Sequence, residues 1–113
     1  MANKQCLECT FSALSDPTRL AVIQELSNGS ATVSQLAKPF PMALPSFTQH
    51  LAVLERAGLI VSRKEGRQRI CSLNPETLRD AEHWLASHRR QWEERLDRLE
   101  AHLARVKKVE SDD

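Results

Sequence analysis

The sequence contains no long apolar segment and no recognisable export signal. No run of about 18 apolar residues occurs, and no charged stretch followed by an apolar core lies at its start. Cysteine is also scarce, with 3 residues among 113. We therefore expect a protein with no membrane partner, whose thiols are reduced in a cytoplasm.

Signatures of catalysis are missing as well. The sequence has no glycine-rich loop to cradle a phosphate, no nucleophile elbow and no pair of carboxylates suited to one pocket. We therefore expect neither an enzyme nor a cofactor. A chain of 113 residues suffices for one domain with a modest core, and we place that domain over residues 1–113, with a flexible lead to about residue 9.

The net charge of +1 excludes no class of partner, but charge is unevenly distributed along the chain. Residues 42–75 carry five basic and two acidic side chains, whereas residues 76–113 carry eight basic and ten acidic ones. The middle of the chain is therefore its basic part. This asymmetry is typical of a nucleic-acid footprint whose affinity falls with salt.

Residues 41–60 predict one amphipathic helix. Apolar side chains recur there at steps of three and four and so form a single stripe: Leu44, Phe47, Leu51 and Leu54. The opposite face is short or polar, which lets a helix enter the major groove of DNA. We interpret it as a DNA-reading helix, with candidate contacts at Ser46, Thr48, Gln49, His50 and Arg56.

Three of these candidates have alternative interpretations. Gln49 points away from the apolar stripe and can pair with adenine through two hydrogen bonds, or it is a plain surface amide. His50 lies some 60° from Phe47 around the helix, so half-buried packing is as good an interpretation as a phosphate contact. Arg56 also suits the negative end of the helix dipole.

Two further helices are predicted before the reading helix. Asp16 and Pro17 suit the N-cap and the first position of a helix. The buried stripe expected of that helix is Leu20, Val22, Ile23 and Leu26. Residues 32–35 (TVSQ) match a capping box, and the short helix that they open ends before Pro39 and Pro41. A short helix, a tight link and an amphipathic helix form the order of a helix-turn-helix.

A β-hairpin is predicted after the reading helix. Residues 59–61 and 70–73 are β-favouring runs on either side of Gly66. Cationic side chains cluster at or near its tip: Arg63, Lys64, Arg67 and Arg69. They can reach phosphates or a minor groove, although a charged hairpin is often merely solvated. We therefore expect a mainly α fold with a small β-hairpin, a winged helix-turn-helix.

The C-terminal part predicts one long helix from about residue 76 to about residue 106, followed by a frayed tail over 107–113. Apolar positions from Leu78 to Val106 follow steps of three and four, close to a heptad pattern. This small domain cannot cover so long a stripe, so we expect dimerisation with a second copy of the chain. The expected contacts are Leu78, Leu85, His88, Trp92, Leu96 and Leu99.

Together these motifs resemble the ArsR/SmtB family of winged-helix repressors. The resemblance covers about residues 10–103 and rests on residues 14–20 (LSDPTRL), 35–40 (QLAKPF), 49–60 (QHLAVLERAGLI) and 65–67 (EGR). It implies a homodimer joined through its first and last helices, which adds Phe11 to the interface. It also implies a repressor of its own or a neighbouring operon, released from double-stranded operator DNA by an inducer that the sequence does not identify.

The sequence departs from the family pattern in its reading helix and its metal ligands. Ala43 stands where a serine commonly caps the reading helix, a loss of roughly 1 kcal/mol. Residues 32–34 (TVS) replace a Cys-Val-Cys metal site, and hydroxyls are poor ligands for soft metals. The terminal helix offers Asp80, Glu82, His83 and His88 but no Asp-x-His pair. We therefore expect no metal site.

Cys6 and Cys9 form a Cys-x-x-Cys near the start of the chain. One short pair, even with Cys71 nearby in space, is a weak signal for zinc. The pair is interpreted as incidental, with a thiol switch or a metal site shared with a partner subunit as alternatives. The alternative functions are accordingly a thiol- or metal-responsive regulator that uses this pair, or a winged-helix protein-interaction module that does not read DNA.

Overall fold

The computed structural model describes residues 6–111. Its helices and strands follow in the order α1 (Leu7–Leu14), α2 (Pro17–Leu26), β1 (Ala31–Thr32), α3 (Val33–Ala37), α4 (Leu44–Arg56), β2 (Ile60–Glu65), β3 (Gln68–Leu73) and α5 (Pro75–Ser111). The predicted mainly α fold with a small hairpin and a long C-terminal helix is confirmed. In the part of the chain that the structure describes, no helix has both the length and the apolar character of a membrane span.

The described chain forms two compact units that divide between Ala81 and Glu82, whereas the sequence analysis expects one domain over residues 1–113. The first unit contains every element up to the first turns of α5, and the second unit is the rest of α5. Residues 91–110 are all exposed.

Both ends of the described chain are more helical than the sequence analysis expects. The lead expected to about residue 9 is already helix from Leu7, because the Cys6 carbonyl accepts the Thr10 N–H at 3.1 Å. At the other end α5 continues to Ser111 instead of fraying from residue 107. Lys108 in its last turn complements the helix dipole there. The rest of the expected lead and tail, residues 1–5 and 112–113, lies outside the described residues.

The predicted helix caps of α2 and α3 are confirmed. The Asp16 carboxylate accepts the Arg19 N–H at 3.0 Å, with Pro17 as the first residue of α2. In α3 the Thr32 hydroxyl accepts the Gln35 N–H at 3.1 Å, and the Gln35 amide oxygen accepts the Thr32 N–H at 2.9 Å. Each cap satisfies N–H groups that the first turn of a helix leaves free.

The sheet has three antiparallel strands in the order β1-β3-β2. In the hairpin, Ile60 pairs with Leu73 at the base and Glu65 pairs with Gln68 at the tip. Strand β1 is not predicted from the sequence, because two residues are too few to show an alternating pattern. Its residues Ala31 and Thr32 pair with β3 and fasten the start of α3 to the sheet.

The core of the first unit lies between α2, α3, α4 and the sheet. Its largest fully buried apolar side chains are Phe47, Leu36, Leu54, Leu59, Ile60 and Val22. Two residues expected in apolar stripes are instead exposed, Leu20 at 42% and Leu44 at 56%. Leu44 is the first residue of α4 and reaches beyond the core, and Leu20 lies roughly 115° from the centre of the buried face of α2.

Candidate nucleic-acid interface

The outer face of α4 is exposed to solvent because the inner face of this helix is packed in the core. Phe47, Leu51 and Leu54 are at most 6% exposed. The exposed residues on the other side include Ser46, Thr48 and Gln49. The Thr48 hydroxyl donates to the Pro45 carbonyl at 3.0 Å, so its oxygen is left as an acceptor. No side chain caps the start of α4 at Ala43, as predicted.

A glycine directs the chain from α4 straight into the hairpin. Gly58 has a φ of 78°, in the left-handed region that glycine adopts easily. Its N–H donates to the Glu55 carbonyl at 3.0 Å, and the Leu59 N–H donates to the Leu54 carbonyl at 3.0 Å, which together form a Schellman motif. The Gly58 carbonyl accepts the buried Thr77 hydroxyl at 2.6 Å. The end of α4 is thereby fixed between β2 and the first turn of α5.

The hairpin turns through the two residues Gly66 and Arg67. Gly66 has a φ of 64°, and no residue other than glycine has a positive φ in the described chain. A positive φ at the first turn residue, Gly66, and a negative φ at the second, Arg67, are typical of a type II′ turn, whose twist matches that of the two strands. Lys64 and Arg69 lie directly opposite each other on β2 and β3. Two cations therefore share one face of the hairpin, an arrangement that costs stability without an anionic partner.

The four predicted cations of the hairpin are all exposed, but they differ in their partners. The Arg63 guanidinium is 3.2 Å from the Glu65 carboxylate, and both side chains are 60% exposed. The Arg69 guanidinium donates to the Ser62 hydroxyl at 2.9 Å. Within residues 6–111, Lys64 and Arg67 form no side-chain hydrogen bond or ion pair. They are the cations most available to an external phosphate.

A polar cleft of about 310 Å³ lies between the hairpin tip and α4. Its lining is Thr32, Val33, Ser34, Thr48, Arg67, Gln68 and Arg69. Two guanidinium groups and several hydroxyls therefore surround the space beside the outer face of the reading helix. Such a set suits phosphate oxygens, which accept hydrogen bonds and attract cations.

His50 lies away from this cleft, at the junction of three helices. It is half-buried, and its Nδ1 is 3.3 Å from the Arg19 guanidinium and 3.6 Å from the Asp16 carboxylate. The Arg19 guanidinium also donates to the Ala13 carbonyl of α1 at 2.7 Å. The geometry therefore matches the packing interpretation of His50, which joins α4 to α1 and α2.

The electrostatics of this junction favour an ionised Asp16. The backbone hydrogen bond from Arg19 is the main cause that lowers the pKa of this carboxyl below its ordinary value of 3.8. Burial opposes this effect, and the charges of His50 and Arg19 add to it. The N-cap of α2 is therefore a carboxylate over the whole neutral range.

Arg56 lies in the last turn of α4 and is exposed. It lines a second cleft, of about 360 Å³, with Cys9, Ser12, Ala13, Val53 and Ala57. The structure therefore brings Arg56 next to α1, whereas Thr48 lies next to the hairpin. The predicted contacts on α4 thus divide between its two ends.

The residues predicted for dimerisation also divide into two groups. Leu78 is half-buried against the core of the first unit, and Phe11 of α1 is half-buried too. Leu78 thus packs in part against its own core, and its contact with a partner stays a prediction. In the second unit the apolar side chains are exposed by 42–56%: Leu85, Trp92, Leu96 and Leu99. The His88 ring stacks on Trp84, with the ring centres 4.2 Å apart.

The cysteines differ from the expectation of reduced thiols. Cys6 and Cys9 are joined by a disulfide at the start of α1, and only Cys71 is free among the described cysteines. Cys71 is buried, and desolvation raises the pKa of its thiol, with the Glu55 charge acting in the same direction. Within residues 6–111 no three His, Cys, Asp or Glu side chains are grouped so as to hold a metal ion.

Two features of this surface escape the sequence analysis. The opposition of Lys64 and Arg69 depends on the strand register, which the sequence pattern alone does not fix to one residue. Ser34 and Gln68 line the polar cleft, whereas Ser34 enters the predictions from sequence only at the position of a lost metal ligand. The capping box at Thr32 is the signal that could have identified Ser34 as an exposed residue at the start of α3.

A short helix, a turn, an exposed reading helix and a cationic hairpin define a winged helix-turn-helix nucleic-acid-binding protein. Comparison with known proteins agrees with this class. Residues 14–63 match a family model described as a helix-turn-helix domain. The chain is 38% identical over 68 residues to the transcriptional regulator Rv2034 of Mycobacterium tuberculosis, a match that covers 60% of this chain and 64% of Rv2034.

Two further relatives are matched over most of their length. The transcriptional repressor SdpR of Bacillus subtilis is 35% identical over 75 residues, which cover 66% of this chain and 83% of SdpR. A crystal structure of an ArsR family transcriptional regulator superposes with a TM-score of 0.74 at 51% identity and covers 80% of this chain and 98% of the other. The chain belongs to the ArsR family. It is a DNA-binding transcriptional regulator and not an enzyme.

Proposed function

We propose that this protein represses transcription by binding operator DNA as a homodimer, with α4 in the major groove and the hairpin on the adjacent backbone. The observation that carries the proposal is the polar cleft, which sets Arg67 and Arg69 beside Thr48 on the exposed face of α4. One surface thus combines a helix whose short side chains let it approach base edges with cations that can bind phosphates.

We infer different roles in DNA binding for the residues of α4 and of the hairpin from their chemistry and exposure. Gln49 is exposed on α4, and its amide can pair with the donor and acceptor of adenine in the major groove. Lys64 and Arg67 have no hydrogen-bond or ion-pair partner for their side chains among the described residues, and Lys64 also faces Arg69 across the hairpin. A phosphate would relieve this repulsion. We assign sequence preference to Gln49 and Ser46, and general affinity to Arg63, Lys64, Arg67 and Arg69.

Repression is supported by the relatives. SdpR is named a transcriptional repressor, and two further relatives are arsenical resistance operon repressors, from Staphylococcus xylosus and Escherichia coli, at 32% and 36% identity. A repressor of this kind acts by occupying a site near a promoter. We infer that the operator lies upstream of this protein's own gene or of a neighbouring operon.

The dimer is supported by the apolar face of the second unit. Leu85, Trp92, Leu96 and Leu99 are each 42–56% exposed at helical spacing along α5. Burial of such a stripe against a second copy removes apolar surface from water in both subunits. A two-fold dimer also presents two reading helices to successive turns of one duplex.

The test is an electrophoretic shift with DNA from upstream of the protein's own gene, followed by transcription in vitro from the same promoter. We expect a shifted band that resists competition by unrelated DNA, and less transcript as protein is added. If the protein binds all DNA with equal affinity, the proposed role of Gln49 and Ser46 in sequence preference is contradicted. Failure to bind any DNA indicates instead a winged-helix protein-interaction module.

A further inference from the structure

Cys6 and Cys9, at the start of α1, form a chemically reactive pair that the DNA-binding surface does not use. Cys6 is the N-cap of α1, and its Sγ accepts the Cys9 N–H at 3.0 Å. The two Cα atoms are 5.1 Å apart, within the range that a disulfide requires. Both residues are exposed, so the pair is open to small thiols and disulfides.

A cleft adjoins one member of this pair. Cys9, Ser12 and Ala13 of α1 form one wall of the space of about 360 Å³, and Arg56 with its neighbours in the last turn of α4 forms the other. The lining is mainly apolar, with the Arg56 guanidinium as its cation. Cys9 lies roughly 200° around α1 from Phe11, so the proposed dimer contact at Phe11 is on another face.

Two features of the surroundings bear on the charge of this pair when it is reduced. The N-terminus of α1 attracts negative charge, Glu8 in the same turn opposes it, and the Arg56 cation lies on the same cleft as Cys9. Cys71 provides the internal contrast. It is buried on β3, and burial raises the pKa of its thiol, so it is an inert thiol.

We propose that Cys6 and Cys9 form a thiol–disulfide exchange site for small anionic disulfides. The Cys9 thiolate attacks one sulfur of the disulfide RS–SR, one RS⁻ leaves and takes a proton, and a mixed disulfide Cys9–S–S–R remains. The R group occupies the cleft, with its acid group against Arg56. The Cys6 thiolate then attacks the Cys9 sulfur and releases the second RS⁻, so two protein thiols are oxidised and RS–SR is reduced to two thiols.

The mixed disulfide is expected to weaken DNA binding, a consequence that rests on the proposed function. Its acid group engages Arg56, a candidate contact to DNA at the end of the reading helix. Its bulk lies between α1 and the last turn of α4, where Ala13 and Ala57 are at most 5% exposed. An adduct in this cleft therefore acts on the helix that presents Gln49.

The test begins with the Cys6→Ser variant, which retains a good N-cap but cannot resolve the adduct on Cys9. The reduced variant is treated with glutathione disulfide, which is anionic, and with cystamine, which is cationic, and adducts are followed by intact-protein mass. We expect one glutathione per chain on Cys9. Arg56→Ala in the same background should lower the ratio of the glutathione rate to the cystamine rate about twofold to fivefold, as for one surface charge pair.

Cys71→Ala, in the same background, is the matched control and should react as the Cys6→Ser protein does. In the wild-type sequence the same treatment should end in the Cys6–Cys9 disulfide with no retained glutathione. Absence of an adduct on Cys9, or a rate ratio that Arg56→Ala leaves unchanged, overturns the proposed site. An adduct on Cys71 overturns it as well.

A separate measurement tests the link to DNA. Fluorescence anisotropy with labelled operator compares the Cys6→Ser protein before and after glutathione is attached, and we expect at least a threefold weaker affinity after attachment. Equal affinities contradict the link while the exchange site stands. If neither form binds DNA, the proposed function fails, and the mass measurements still decide the exchange site.

Discussion

At the scale of single residues, the surface of α4 and the hairpin separates two kinds of chemistry. Gln49 carries an amide that can discriminate between bases, whereas Arg67 carries a charge that any phosphate attracts. Both are exposed, and both lie on elements fixed by the same core. Substitution of Gln49 and substitution of Arg67 should therefore impair DNA binding in different ways.

Gln49→Ala should relax sequence preference and reduce affinity for the operator by about 1–3 kcal/mol, with little effect on unrelated DNA. Arg67→Ala should weaken all DNA similarly and reduce the slope of log affinity against log salt by about 1. Anisotropy titrations at several salt concentrations measure both effects. Arg90→Ala, exposed on α5, is the control for loss of one charge. A Gln49→Ala protein that loses affinity for every sequence equally would show that the roles are assigned wrongly.

The Asp16 carboxylate predicts a pH dependence of stability. Its pKa is lowered in the folded protein, mainly by the Arg19 N–H, so its contribution is present above the ordinary pKa of 3.8 and is lost as pH falls through the folded value. Asp16→Ala should therefore unfold at a lower urea concentration than wild type at pH 7, and the difference should shrink below about pH 3.8. A difference of equal size at pH 3 and pH 7 would contradict this account.

At the scale of elements, the sequence predicts whatever is set by local chemistry. The capping box at Thr32, the N-cap at Asp16 and the glycine turn of the hairpin each depend on residues within a few positions. What escapes prediction depends on distant partners. Strand β1 exists only through its pairing with β3, and the cleft between Thr48 and Arg67 exists only once the hairpin is folded against α4.

The hairpin turn offers a direct test at this scale. Gly66 has a φ of 64°, and a Cβ there would meet no atom within 4 Å. Gly66→Ala should therefore cost stability through backbone strain alone, about 1–2 kcal/mol in urea unfolding. Gly66→Asn should recover part of the loss, because asparagine tolerates positive φ better. An alanine variant as stable as wild type would show that the turn is not of type II′.

At the scale of the whole molecule, regulation of DNA depends on pairing two copies. Sedimentation equilibrium should find a dimer at micromolar concentration. Leu96→Glu should convert it to a monomer without loss of helix content, since Leu96 is already 56% exposed within one chain. Ala101→Glu, roughly opposite the stripe on the same helix, should remain a dimer. A wild-type monomer at micromolar concentration would count decisively against the dimer.

A hydroxyl-radical and methylation footprint on the operator tests whether two α4 helices bind neighbouring major grooves. We expect two protected major-groove segments on one side of the duplex, about 10 bp apart, with flanking backbone protection that is lost in Arg67→Ala. A single protected segment, or two segments on opposite sides of the duplex, would contradict the pairing of two α4 helices on neighbouring grooves.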